Sequence, residues 1–191
     1  MHKIIPTLAA SVGITFLPAI AHAHTGVGST SGFGAGILHP IGGIDHLLAM
    51  VTVGLLAGIA GGWARWTLPL RFVTAMLAGA GLALAGGSVP LVETLIAASV
   101  VVLGALAALR FGLPTAAILA IVAFFAVFHG FAHGQEAPAG GAVLTYIAGF
   151  TVATALLHAA GVGLARVAPN AVRIAGTVAL ILGVGIAAGL V

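Results

Sequence analysis

Six ionisable side chains, His39, Asp45, His46, His129, His133 and Glu136, stand in or beside stretches otherwise apolar enough to cross a bilayer. Ionisable groups at membrane depth are costly, and where they occur they mark ion paths, proton relays or bound metals. The chain holds only three acids, Asp45, Glu93 and Glu136, and two of them adjoin histidines. Two carboxylates among neutral imidazoles match the charge of a divalent cation, whereas an unpaired charge there would be expensive.

The residues fall into two strings. In the stretch from Phe128 to Glu136, His129 and His133 are four residues apart and Glu136 follows seven after His129. On a helix these side chains share one face, with the two rings able to reach a common ion. The other string, His39 to His46, is different, because residues seven apart on an unbroken helix stand roughly 10 Å apart, too far to share an ion. Pro40 and the pair Gly42-Gly43 predict a break that folds His39 back toward Asp45 and His46, since irregular backbone lining a cavity builds ion sites in transporters. Met50, one turn beyond His46, reads as packing before it reads as a soft ligand.

Counting from the span ends puts Asp45 and His46 roughly 15 Å deep and His129 roughly 7 to 10 Å deep, so the strings are expected to meet. The carbonyl end of the second string's helix, near Gly134, is negative and draws cations in, while Asp45 offsets the positive start of the helix after the break. Three other residues have two readings each. His24 is a metal catcher, through its imidazole and an α-amine exposed by cleavage, or a tail residue. Glu93 attracts cations at the mouth or simply begins a helix, and His158 is a relay or exit ligand or the partner of a backbone carbonyl.

The elements that must position these residues are membrane helices. Of 191 residues, 61% are hydrophobic and 5% charged, with a mean hydropathy of +1.28, where a soluble domain carries ~25% charged residues. Lipid cannot satisfy free backbone groups, and no period-2 alternation suggests a barrel, so the fold class is an all-α membrane protein. Residues 1–23 read as a cleaved signal peptide, with Lys3 in the basic region, an apolar run over 4–20 and Ala21-His22-Ala23 as the cleavage site. Residues 24–191 then form one domain of six transmembrane helices, over 34–61, 68–86, 89–109, 114–134, 142–165 and 171–190.

Glycine is abundant, 29 residues, with small residues four apart at Gly54/Gly58, Gly130/Gly134 and Gly185/Gly189. Such faces let helices close into a compact bundle, and they leave a homo-oligomer open. Three spans on either side of the Arg110–Pro114 turn hint at an inverted repeat. If the spans alternate, Arg65, Arg71, Arg110, Arg166 and Arg173 share one side, which the positive-inside rule makes cytoplasmic, with Trp63 and Trp66 as its interfacial belt. Both termini are then periplasmic, as a signal peptide in a bacterial inner membrane also requires. The scattered basic residues form no stripe that speaks for nucleic acid, and no nucleic-acid partner is expected; the absence of cysteine excludes disulfides and thiolate ligands.

At these residues the chain resembles the HupE/UreJ family of nickel/cobalt permeases. The family's H-x5-D-H signature is met by His39, Asp45 and His46, and F-H-G-x-A-H-G-x-E by Phe128 through Glu136. The resemblance implies a permease, not an enzyme, that admits Ni²⁺ or in some members Co²⁺ as cargo, with no prosthetic group and an indirect link to hydrogenase or urease maturation proteins. No nucleotide-binding motif is present, so the membrane potential, a coupled proton or a partner must supply the energy. Two other readings stay open on the residues alone. Histidines and a carboxylate with an open position also describe an intramembrane zinc-dependent hydrolase, and a metal-binding accessory or sensor module would bind without transport.

Overall fold

The computed structural model describes residues 32–110 and 112–191. The expected signal peptide, His24 and residues 25–31 lie outside the described residues. Regular structure within them is helical: α1 (Phe33–Gly42), α2 (Ile44–Ala60), α3 (Ala64–Leu84), α4 (Val92–Leu109), α5 (Thr115–Gln135), a 3₁₀ turn at Gly140–Ala142, α6 (Val143–Val167) and α7 (Ala171–Ala187).

Four of these, α3 to α6, are long and apolar enough to cross a membrane, and α1 with α2 make a fifth if the pair is one span. α7 has 17 residues, about 26 Å at 1.5 Å per residue, which is short of a hydrocarbon core of ~30 Å. Among the described residues the six expected spans are thus supported at four or five positions.

α1 and α2 meet at 86°. The joint is Gly43, whose backbone is extended at φ −96° and ψ 115°, while Pro40 lies inside α1. Pro40, inside α1, removes one intrahelical bond, and the chain turns three residues later at Gly43, where two glycines in succession weaken the helix. An 86° joint is the geometry of a broken span or of a re-entrant element. α3 also begins at Ala64, four residues before the expected 68, and carries Pro69 in its second turn.

α3 packs along α5, α4 along α7, and α1 and α2 along α6. These three pairings are ones a two-fold relation between halves would produce, whereas α2 also packs on α3 and α4 without α5 packing comparably on α6 and α7. Glycine makes these pairs close. A Cβ on Gly54 would collide with the His158 carbonyl, and one on Gly161 with the Val51 carbonyl. Gly36 and Gly149 bring α1 against α6 in the same way, and Gly130 sets α5 against the Met76 carbonyl of α3. Gly189 plays no such part: it follows α7 at φ +67°, a turn position.

The two ends of the bundle differ in charge. Arg65 and Arg166 line one cavity together, Arg71 lines another with Trp63, and Arg110 donates from Nη2 to the Pro169 carbonyl at 2.6 Å. Trp63 and Trp66 at this end are exposed. The histidine strings gather at the opposite end, around the α1–α2 joint and the C-terminal end of α5.

Candidate metal centre

The bend at Gly43 shortens a separation that a straight helix would hold near ~10 Å, so that the His39 and His46 rings lie 6.2 Å apart between centroids. α5 brings its own pair against them. His133 lies 4.8 Å from His39 and 4.7 Å from His46, and His129 lies 4.7 Å from His46. Four imidazoles therefore form one continuous group from three helices. His129 and His133 are completely buried and His46 nearly so, whereas His39 is 29% exposed and Glu136 36%, giving the group a wet end and a dry end.

Gly130 explains why α5 can bury both of its rings. It lies between them in sequence and admits the backbone of α3, so the stripe carrying His129 and His133 sits in the bundle and not on its lipid face. Aromatic side chains close the walls: Phe150 stacks on His133 at 4.6 Å, Tyr146 lies 5.7 Å from His39, and Phe72 lies 5.7 Å from His129.

Hydrogen bonds fix which ring nitrogens are free. Asp45 Oδ1 stands 2.8 Å from His46 Nδ1 and also accepts from the His46 backbone N–H at 2.7 Å. An ionised carboxylate only accepts, so in the neutral ring the Nδ1 carries the proton and Nε2 keeps its lone pair. His46 Nε2 is buried with no hydrogen-bond partner among the described residues. Glu136 Oε2 stands 2.7 Å from His39 Nε2, which by the same reasoning leaves His39 Nδ1 bare. His129 Nδ1 and both nitrogens of His133 are likewise buried without partners. Each carboxylate thus orients an imidazole, the arrangement by which outer partners fix the tautomer and raise the basicity of metal-binding histidines.

Helix ends add to the field. Asp45 is the second residue of α2, where a negative charge meets the positive helix start, and Glu136 caps the C-terminal end of α5, adding charge where the carbonyls are already negative. Glu93, in the first turn of α4, is near enough for its charge to act on Asp45, His46 and Glu136.

Of the sequence-derived candidates, His39, Asp45, His46, His129, His133 and Glu136 gather in this one place. Among the described residues, no three His, Asp or Glu side chains stand in the arrangement of a metal shell. The rings are neighbours, each within 5 Å of at least one other, but His39 and His46 turn toward their carboxylates. His158 is not part of the group. Phe72 separates it from His129, with its ring 5.0 Å from His158, and His158 lines a 440 Å³ cavity with Arg65 and Arg166. Met50 packs in the core, where Thr154 donates to its sulfur at 3.3 Å.

Sequence reasoning missed Phe72, Tyr146, Phe150 and Ser99. The aromatics carry no signal separating them from ordinary core residues. Ser99 does carry one: it is a lone hydroxyl in the apolar stretch 95–103, and its Oγ lies 2.9 Å from His129 Nε2.

The family model described as HupE / UreJ protein matches residues 12–189. The chain is 43% identical to Protein HupE of Rhizobium leguminosarum bv. viciae over 191 aligned residues, covering 94% of this chain and 97% of that protein. No solved structure matches.

Proposed function

The chain belongs to the HupE/UreJ family, and from that premise we propose that it is a permease that admits a divalent metal ion, Ni²⁺ or Co²⁺, through the histidine group. The observation that carries this reading is the continuous run of imidazoles His39, His133, His46 and His129, with Asp45 and Glu136 beside it, part-exposed at His39 and fully buried at His129. Cations collect at the half-exposed pair His39 and Glu136. Inward, each ring lies within 5 Å of the next, so an ion exchanges one nitrogen for another without ever being left bare in a medium where an unpaired charge is prohibitive.

The metal is cargo, with no prosthetic group involved. The arginine-bearing end lies in the cytoplasm of a bacterial cell by the positive-inside rule, the histidine end faces the periplasm, and residues 1–23 direct insertion into the inner membrane and are removed. A membrane potential favours inward passage of a divalent ion by roughly 4.6 kcal/mol per 100 mV, enough to drive facilitated entry without a nucleotide. The cytoplasmic ion would supply hydrogenase or urease maturation.

Uptake of ⁶³Ni by a bacterial strain lacking its other nickel importers tests the reading, with Co²⁺ as competitor. The native chain should restore uptake, and His46→Ala or His129→Ala should return it to background at equal membrane abundance. Uptake at the native rate by either variant would sink the shared route.

A further inference from the structure

Ser99 lies in the middle of α4, completely buried, and its hydroxyl has two polar neighbours: the Ile96 carbonyl at 2.6 Å and His129 Nε2 at 2.9 Å. A hydroxyl has one proton to donate, a carbonyl can only accept, and a neutral imidazole nitrogen does either according to its tautomer. Two assignments exist. If Ser99 donates to His129 Nε2, then His129 Nδ1 must carry the ring proton, and Nδ1 is buried with no acceptor among the described residues. The serine and carbonyl oxygens would also face each other at 2.6 Å with no hydrogen between them. If Ser99 instead donates to Ile96, its lone pair accepts the Nε2 proton of His129, and both short contacts become proper hydrogen bonds.

We infer that Ser99 holds His129 in the Nε2–H tautomer and so presents Nδ1, the unpartnered nitrogen, to the metal; Ser99 is a positioning residue for the deepest ligand of the group. The metal-binding half of this statement rests on the reading under Proposed function. The result is an alternation: the ion meets Nε2 of His46, whose Nδ1 is committed to Asp45, and then Nδ1 of His129, whose Nε2 is committed to Ser99. The partners also differ in kind. A carboxylate behind His46 raises that ring's basicity, whereas a neutral hydroxyl behind His129 orients its ring without adding charge. Ligation therefore weakens from His46 to His129, which favours passing the ion on toward Phe72 and not trapping it.

The test uses the full-length protein in lipid bilayers with ¹⁵N-labelled histidine, His129 being assigned by loss of its signals in His129→Gln. Without metal, the His129 Nε2 signal should be that of a proton-bearing nitrogen and Nδ1 that of a bare one. Ser99→Ala should mix the two tautomers and weaken Ni²⁺ binding roughly 10- to 100-fold at an unchanged thermal midpoint, and Ser99→Thr should restore both. Finding the proton on Nδ1 in the native protein, or native Ni²⁺ affinity in Ser99→Ala, would overturn the inference. The tautomer is read with no metal present, so it decides the role of Ser99 even if the protein proves not to transport nickel, and the native spectrum suffices if Ser99→Ala fails to fold.

Discussion

His133 and His158 are both buried, and both have two ring nitrogens without partners among the described residues, yet they sit in opposite surroundings. His133 touches His39 and His46, which hold Glu136 and Asp45 in hydrogen bonds. His158 touches the ring of Phe72 and lines a cavity shared with Arg65 and Arg166. The same side chain at the same burial therefore stands near carboxylates at one end and near guanidinium groups at the other. On the proposed route the carboxylates would draw an ion in, while guanidinium groups, always charged, would make a cation costlier beyond Phe72. Burial makes a histidine costly; the charges around it decide what the cost is for.

The comparison is broken most easily by substitution at its two poles. His133→Ala should reduce ⁶³Ni uptake to background, because a ring that touches two others of the group cannot be replaced by water at zero exposure. If His133→Ala still transports, the continuity of the imidazoles is not what moves the ion. Asp45→Asn comes next: it keeps the shape but weakens the acceptor that orients His46, and the expected cost is roughly 10- to 100-fold in Ni²⁺ affinity, read by equilibrium binding to purified protein. An unchanged affinity would mean that His46 keeps its orientation without a charged partner.

Acidity offers a smaller and graded perturbation. Imidazole binds metal only when neutral, and an ordinary histidine titrates near ~6.5. Protonation removes the lone pair, so uptake at fixed free Ni²⁺ and fixed potential should fall several-fold as external pH falls from about 7 to about 5.5. A flat profile would assign capture to the carboxylates alone. Smallest of all, His158→Ala should lower uptake only a few-fold and leave Ni²⁺ affinity unchanged; a loss as complete as that of His133→Ala would erase the distinction between the two ends. Independently of chemistry, Gly54→Ala forces α2 from α6 at the His158 carbonyl and should cost about 1–3 kcal/mol, seen as a lower thermal midpoint.

Much of this was legible in residue order. The spacing of His129 and His133 put both rings on one face, and α4 and α5 fall within a few residues of the expected spans 89–109 and 114–134. His46 does touch both α5 histidines, as the depth count expected, although the 86° joint at Gly43 means α1 does not add depth as a straight helix would. Other features depend on packing that no local pattern encodes. Phe72 separates His129 from His158 only because α3 runs along α5, and nothing in its own neighbourhood marks it. The start of α3 was hidden by Pro69, which reads as a boundary but is tolerated in the second turn of a helix. Ligand atoms were out of reach for a different reason: which nitrogen of His46 is free depends on a 2.8 Å contact, and that of His129 on a serine 30 residues away.

Nickel K-edge X-ray absorption of the loaded, full-length protein tests the shared histidine centre most directly, compared among the native chain, His46→Ala and His158→Ala. The imidazole scattering around the metal should be clear in the native protein, unchanged in His158→Ala, and reduced or lost in His46→Ala. A shell of oxygen ligands without imidazole, or imidazole scattering that survives His46→Ala and disappears in His158→Ala, would contradict the account and move the metal to the arginine-bearing end.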